Sequence, residues 1–134
     1  MQKDLTLIGK DGNKEAAKLI IEETPESFIE LQSNIFNSDK IKCERLYQGF
    51  QHLHKQLDFL GLKLLCMGYR YDVRPSRMGL SMGHGTLAYV HKLGEPATQL
   101  VNIFDSTDEV EAVVSCEEQK YYYMKWINSL QQLK

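Results

Sequence analysis

The residues whose types could support chemistry are concentrated in residues 70–85, here called the arginine-rich segment. It holds three arginines, two serines and one histidine within sixteen positions. Its glycines at 79, 83 and 85 permit positive φ and the close approach of a ligand or another backbone. Polar donors combined with this backbone freedom are typical of a binding loop.

One chemistry open to this segment is anion binding. Arg74 and Arg77 could hold a phosphate or carboxylate through paired hydrogen bonds, with backbone amides near Gly83 and Gly85 pointing inward. The glycine spacing matches neither a nucleotide phosphate loop nor the dinucleotide fingerprint, because these glycines lead into a predicted strand and not into a helix. Anion binding therefore stays open as an alternative function.

A second chemistry is acid–base catalysis by His84. Arg77 would stabilise developing negative charge, and Ser76 or Ser81 would act as the nucleophile. Residues 79–83 match the G-x-S-x-G spacing, but they lead into a predicted strand and not into the helix that follows a nucleophile elbow, and the spacing identifies no carboxylate that would orient the imidazole. We therefore expect no catalytic residue, with a small enzyme kept as part of the same alternative.

A third interpretation is a protein-binding surface. Long loops that carry many polar side chains more often have a function than serve only as connections, and methionine adapts to varied partner surfaces. An acidic stretch at residues 105–111 provides a second surface, suited to a basic partner. The residues predicted to contact a partner are Arg74, Arg77, Met78, Met82, His84, Asp105, Asp108, Glu109 and Glu111.

The strands that would position these residues indicate an α+β fold. Apolar runs on either side of Asp11 and Gly12 predict an N-terminal hairpin. A continuous apolar run predicts a central strand near residues 62–73. Further strands are predicted near residues 86–93 and 100–104, so we expect one small, mainly antiparallel sheet.

Three helices are predicted to pack on this sheet. A Thr-Pro-Glu start followed by apolar residues three and four apart predicts a helix near residues 25–36. The strongest pattern is a stripe of six apolar residues that predicts a helix near 42–60. A capping box at Ser115 and Glu118 opens a third helix near 116–132.

Length and composition predict one globular domain, residues 1–134, that is not a membrane protein. The chain is 43% hydrophobic and 25% charged, which suits a folded core. The first twenty residues lack the apolar run of a signal peptide, and the longest apolar stretch is about half of the roughly 20 residues that a span needs. A cytoplasmic location is therefore expected.

Three separated cysteines predict reduced thiols, without a disulfide framework or a zinc ribbon. His52 and His54 lie two apart on a predicted helix and cannot share one face as ligands do, so no metal or other cofactor is expected. The net charge is −2, with a basic middle at residues 40–92 and acidic ends. Acidic ends argue against direct nucleic-acid binding.

Three stretches carry a resemblance to a known class of protein: GYRYDVRPSRMGLSMGHGTLAYV, LVNIFD and EEQKYYYMKWINSL. Together they resemble small bacterial immunity proteins of polymorphic toxin systems, of the contact-dependent inhibition or type VI kind. The resemblance implies a cytoplasmic protein that binds and neutralises a cognate toxin domain without catalysis, and it assigns no binding residue. The leading hypothesis is therefore an immunity protein, and the alternative is a small enzyme or ligand-binding domain acting on an anionic molecule.

Overall fold

The computed structural model describes residues 1–77, 80 and 85–131 of the chain. Three of the predicted contact residues, Met78, Met82 and His84, lie outside the described residues. The predicted α+β class is confirmed, with two antiparallel sheets and two long helices in the described part of the chain.

The first sheet has five strands in the order β4-β3-β2-β1-β5. Its strands are β1 (Gln2–Ile8), β2 (Lys14–Glu22), β3 (Phe28–Ser33), β4 (Ile41–Lys42) and β5 (Lys63–Leu64). The predicted hairpin is confirmed, since β1 and β2 pair along seven residues each. Gly12 takes φ +84° in the connecting turn, a value that glycine adopts without steric cost.

The predicted helix near residues 25–36 is wrong, because β3 occupies these positions. Ile29 and Leu31 are both fully buried and lie opposite Ile21 and Leu19 of β2. The spacing of Phe28, Leu31 and Ile35 suits a helix, but Ile29 and Leu31 also alternate with polar neighbours. Pairing with β2 buries both side chains on one face and satisfies the β2 backbone, so the strand prevails.

The second sheet has three strands in the order β6-β7-β8: β6 (Val73–Arg74), β7 (Leu87–Val90) and β8 (Gln99–Asn102). Strands predicted near 86–93 and 100–104 are therefore present in shorter form. The predicted central strand near 62–73 is wrong as a continuous element, because it divides into β5, a short 3-10 helix (Met67–Tyr69) and β6. The single predicted sheet divides at the same place.

The helices are α1 (Leu46–Leu60) and α2 (Cys116–Gln131). Helix α1 starts later than predicted because Ile41–Lys42 pair with β3. It ends at Gly61 as predicted, with φ +72°. The capping box of α2 is confirmed, since the Glu118 amide donates to Ser115 Oγ at 3.2 Å and the Ser115 amide donates to Glu118 Oε1 at 3.3 Å. No helix in the described ranges is both long and apolar enough to cross a membrane.

The sheets and helices meet at the 3-10 helix. Tyr69 is buried and stacks on Phe50 and His54 of α1, with ring centroids 4.1 and 3.9 Å away. Its hydroxyl donates to the Phe50 carbonyl at 2.6 Å. The residue before it has no room for a side chain, because a Cβ on Gly68 would overlap the Phe50 ring and lie 2.7 Å from Ile103 Cβ.

We predict that Gly68→Ala lowers the free energy of unfolding by about 3 kcal/mol, because the added methyl group overpacks this junction. Gly12→Ala serves as the control. It places a side chain at positive φ where no atom lies within 4 Å, so it should cost only about 1 kcal/mol. Urea denaturation measures both, and equal losses would contradict tight packing at Gly68.

Candidate interaction surface

The outer face of the second sheet carries large apolar side chains. The strand register places Arg74, Tyr89 and Leu100 side by side across the three strands. Leu87 lies diagonally from Leu100 on the same face, and the two leucines are 56% and 52% exposed. Val73 and Ala88 of the opposite face are buried. One face of the sheet therefore packs against the core, while the other exposes apolar side chains.

Strand β8 is an edge of this sheet, since no other strand of the described residues pairs with its outer side. Beyond it lies a cleft of about 570 Å³ that separates the strand ends from the acidic stretch. Its lining includes Lys92 and Gln99 together with Asp108 and Glu109. The exposed leucines, Gln99 of the edge strand and the acidic stretch that follows β8 in the chain are together called the β8 surface: Leu87, Leu100, Gln99 and residues 105–111.

The acidic stretch is held in place by two basic residues from distant parts of the chain. Lys3 of β1 forms a salt bridge with Asp105 at 3.2 Å. Arg70 forms one with Glu109, also at 3.2 Å. Asp108 and Glu111 are exposed and form no salt bridge with any described residue. Of the four predicted acidic contacts, two thus position the loop while two are available to a partner.

Arg70, the first arginine of the arginine-rich segment, is structural. Its guanidinium donates two hydrogen bonds to Asp72, at 3.0 and 3.1 Å, and both side chains are nearly buried. Hydrogen bonds to Asp72, with further contributions from Glu109, raise the pKa of Arg70. This arginine is therefore not free to grip an external anion.

The other two arginines differ in their surroundings. The guanidinium of Arg74 lies over the Tyr123 ring of α2, 4.7 Å from its centroid, in cation–π geometry. Arg77 is exposed. Arg74 is thus held against α2. Of the two arginines predicted to contact a partner, Arg77 is the one exposed to solvent.

His91, which follows β7, joins the second sheet to α2. Its ring lies 4.2 Å from the Trp126 ring and 5.4 Å from the Tyr123 ring, and its carbonyl accepts a hydrogen bond from Tyr122 at 3.0 Å. The residue as a whole is 6% exposed. Burial, together with the positive charge of Arg74, lowers the pKa of His91 against the opposing effect of Asp72. The imidazole is therefore neutral in the folded protein near neutral pH.

A second cluster of chemically capable side chains was missed by the sequence analysis. His54 and Asp58 of α1 lie beside Cys116, the first residue of α2, and their ligand atoms all lie within 4.8 Å of one another. The signal in the sequence is the spacing of four residues, which puts His54 and Asp58 on one helix face, whereas His52 and His54 lie on different faces. No sequence pattern pointed to Cys116, because it is far away along the chain.

Burial and nearby charge keep the Cys116 thiol of this cluster from acting as a nucleophile. Burial, followed by the nearby Asp58 carboxylate, raises the pKa of the Cys116 thiol to about 11. Burial also lowers the pKa of His54, although Asp58 opposes this effect. A catalytic cysteine needs the opposite surroundings, in which positive charge stabilises the thiolate.

No family model matches the chain, and no curated protein matches it significantly.

We predict that stability falls with acidity below about pH 6.5, the ordinary pKa of histidine, and that His91 contributes to this fall. The folded-state pKa of His91 is lowered, so the unfolded chain binds the proton first as the pH drops. The stabilisation present above pH 6.5 is then lost until the folded pKa is reached. One such group contributes at most about 1.4 kcal/mol per pH unit.

Urea denaturation between pH 7 and pH 5, in steps of about half a unit, measures this slope. His91→Gln and His91→Phe both remove the titrating ring while differing in how they pack against Trp126. Both should show a shallower loss of stability than the wild type. Retention of the wild-type slope in both variants would show that His91 is not the responsible group.

Proposed function

We propose that this chain is a cytoplasmic protein-binding protein that acts as an immunity protein, neutralising a cognate toxin domain by direct contact. The observation that carries the proposal is the pair Leu87 and Leu100, each more than half exposed on one face of the second sheet, whose edge strand β8 is followed in the chain by an acidic loop. Adjacent exposed apolar side chains rimmed by polar ones are the usual composition of a protein-binding surface.

The apolar part of the β8 surface supplies the binding free energy in this proposal. Covering a fully exposed leucine side chain contributes about 2 kcal/mol, and half of that area remains available on each of these two. The outer edge of β8 also offers backbone groups to which a partner can add a strand. Leu87 and Leu100 would form the centre of the interface, and the loop would form its rim.

The acidic part selects the partner. Asp108 and Glu111 form no internal salt bridge with described residues, whereas the neighbouring Asp105 and Glu109 hold the loop in place. A fixed loop that displays two uncompensated carboxylates favours a partner with a basic surface and raises the association rate. A toxin domain that binds nucleic acid has such a surface.

The surroundings of the arginines support protein binding over the anion-binding alternative. Arg70 is committed to Asp72 and Glu109, and Arg74 lies over an aromatic ring. Of the three arginines in the segment, Arg77 is the exposed one. A single arginine is a weak basis for an anion site. As an exposed side chain it can instead contact an acidic part of the toxin.

The test starts from the product of the gene immediately upstream, co-expressed with the full chain. We expect a stable one-to-one complex that survives purification, and protection of the host cell from the toxin. Failure of the two proteins to copurify, together with absence of protection, would refute the proposal.

Variants then locate the surface within that complex. Leu100→Ser should weaken binding by about tenfold, mainly through faster dissociation. Asp108→Lys should slow association, and this effect should shrink at high salt. Biolayer interferometry measures both rates.

Matched controls keep these variants interpretable. Ile35→Ser removes a 44% exposed apolar side chain beyond β3 of the first sheet, and Glu23→Lys reverses an exposed charge at the end of β2. Both should bind as the wild type does. If the controls weaken binding as strongly as Leu100→Ser and Asp108→Lys, the partner binds at a surface other than the β8 surface.

A further inference from the structure

Three potential metal ligands from two helices meet where α2 begins beside the second half of α1. His54 and Asp58 project from successive turns of α1, and Cys116 opens α2. The imidazole nitrogen, the carboxylate oxygen and the sulfur all lie within 4.8 Å of one another. Donors around a tetrahedral zinc ion are about 3.5 Å apart, given zinc–ligand bonds of about 2.0–2.3 Å. Small side-chain movements would therefore bring this set into coordination.

The backbone and the core already orient two of the ligands. Asp58 Oδ2 accepts a hydrogen bond from the Cys116 amide at 2.9 Å, which leaves Oδ1 facing His54 Nε2 at 3.6 Å. The His54 ring stacks on the buried Tyr69 ring, so its plane is fixed. Hydrogen-bonded carboxylates and constrained imidazoles are the usual support of protein metal sites.

A cavity lies against two of the three residues, His54 and Asp58. Its volume is about 200 Å³, and its lining includes His54 and Asp58 together with Lys63, Ser115 and Glu118. The Glu118 carboxylate is used by the capping box, so it is not a free fourth ligand. The cavity can hold a water molecule in the fourth position, as in zinc sites that keep one place open.

We propose that His54, Asp58 and Cys116 form a binding site for a divalent transition-metal ion of the zinc class. Nitrogen, oxygen and sulfur ligands together favour zinc over magnesium or calcium, which prefer oxygen alone. A carboxylate and a thiolate bring two negative charges to a doubly charged cation, so the site becomes neutral. The inference is independent of the proposed toxin binding.

Metal binding follows a simple proton balance. The Cys116 S–H bond breaks, a sulfur–metal bond forms, and one proton passes to solvent. At His54, Nε2 lies 2.8 Å from the Val114 carbonyl oxygen. Coordination by Nε2 breaks this hydrogen bond, moves the ring proton to Nδ1, and requires the imidazole to shift away from the Val114 carbonyl oxygen so that the cation can reach Nε2.

The competing interpretation is a purely structural clamp, in which Asp58 ties α2 to α1 and His54 caps the Val114 carbonyl. Asp58→Asn separates the two. An asparagine carbonyl can still accept the Cys116 amide hydrogen bond, so the clamp survives, while the negative charge that a metal needs is lost.

The experiment titrates the chelator-treated full chain with Co²⁺ and follows the thiolate-to-cobalt charge-transfer absorption. We expect saturation at one Co²⁺ per chain, release of one proton per metal, and loss of the band when Zn²⁺ displaces cobalt. These three readouts use the wild-type protein and do not depend on the folding of any variant.

Variants assign the ligands, with circular dichroism confirming the fold of each. Cys116→Ser should abolish the charge-transfer band, and Asp58→Asn should weaken Co²⁺ binding by about tenfold or more. Cys43→Ser changes a cysteine outside the cluster and should bind as the wild type does. Absence of the band in the wild-type protein, or its persistence in Cys116→Ser, would overturn the proposal.

Discussion

The packing of Tyr69 against α1 is the constraint on which the rest of the structure depends. Its ring is enclosed between Phe50 and His54, and its hydroxyl has a partner in the Phe50 carbonyl. A tyrosine is buried at low cost only when its hydroxyl is hydrogen-bonded. The chain reaches this position through the 3-10 helix, and that turn separates the two sheets. One buried side chain thus decides where the first sheet ends and the second begins.

The same turn organises the elements that follow it. The Gly68 amide donates to the Ile103 carbonyl, and the Met67 amide donates to the Asp105 carbonyl. From α2, the Gln119 side chain donates to the Gly68 and Arg70 carbonyls at 2.8 and 2.7 Å. Buried backbone groups that no strand could pair are thereby satisfied. The end of β8 and the start of the acidic loop consequently lie at a fixed distance from the core.

Both candidate sites follow from this junction. On one side, Arg70 extends from the turn to Asp72 and Glu109, which holds the acidic loop beside β8. On the other side, the Tyr69 ring supports His54 in the cluster with Asp58 and Cys116. The β8 surface is exposed and apolar at its centre, whereas the cluster is recessed in a small cavity. Each therefore suits a different kind of ligand, although one aromatic stack positions both.

Local patterns in the sequence determined the N-terminal hairpin, helix α1 with its end at Gly61, and the capping box of α2, because neighbouring residues alone satisfy those turns and helix ends. They also identified the acidic loop as charged and exposed. Tertiary structure decided β3, since Ile29 and Leu31 gain burial only by pairing with β2. It also decided which carboxylates are used internally, since Lys3 and Asp105 are 102 positions apart. The cluster needed both levels: the spacing of His54 and Asp58 is readable in the chain, but only folding brings Cys116 to them, because helix packing acts between residues that no local pattern connects.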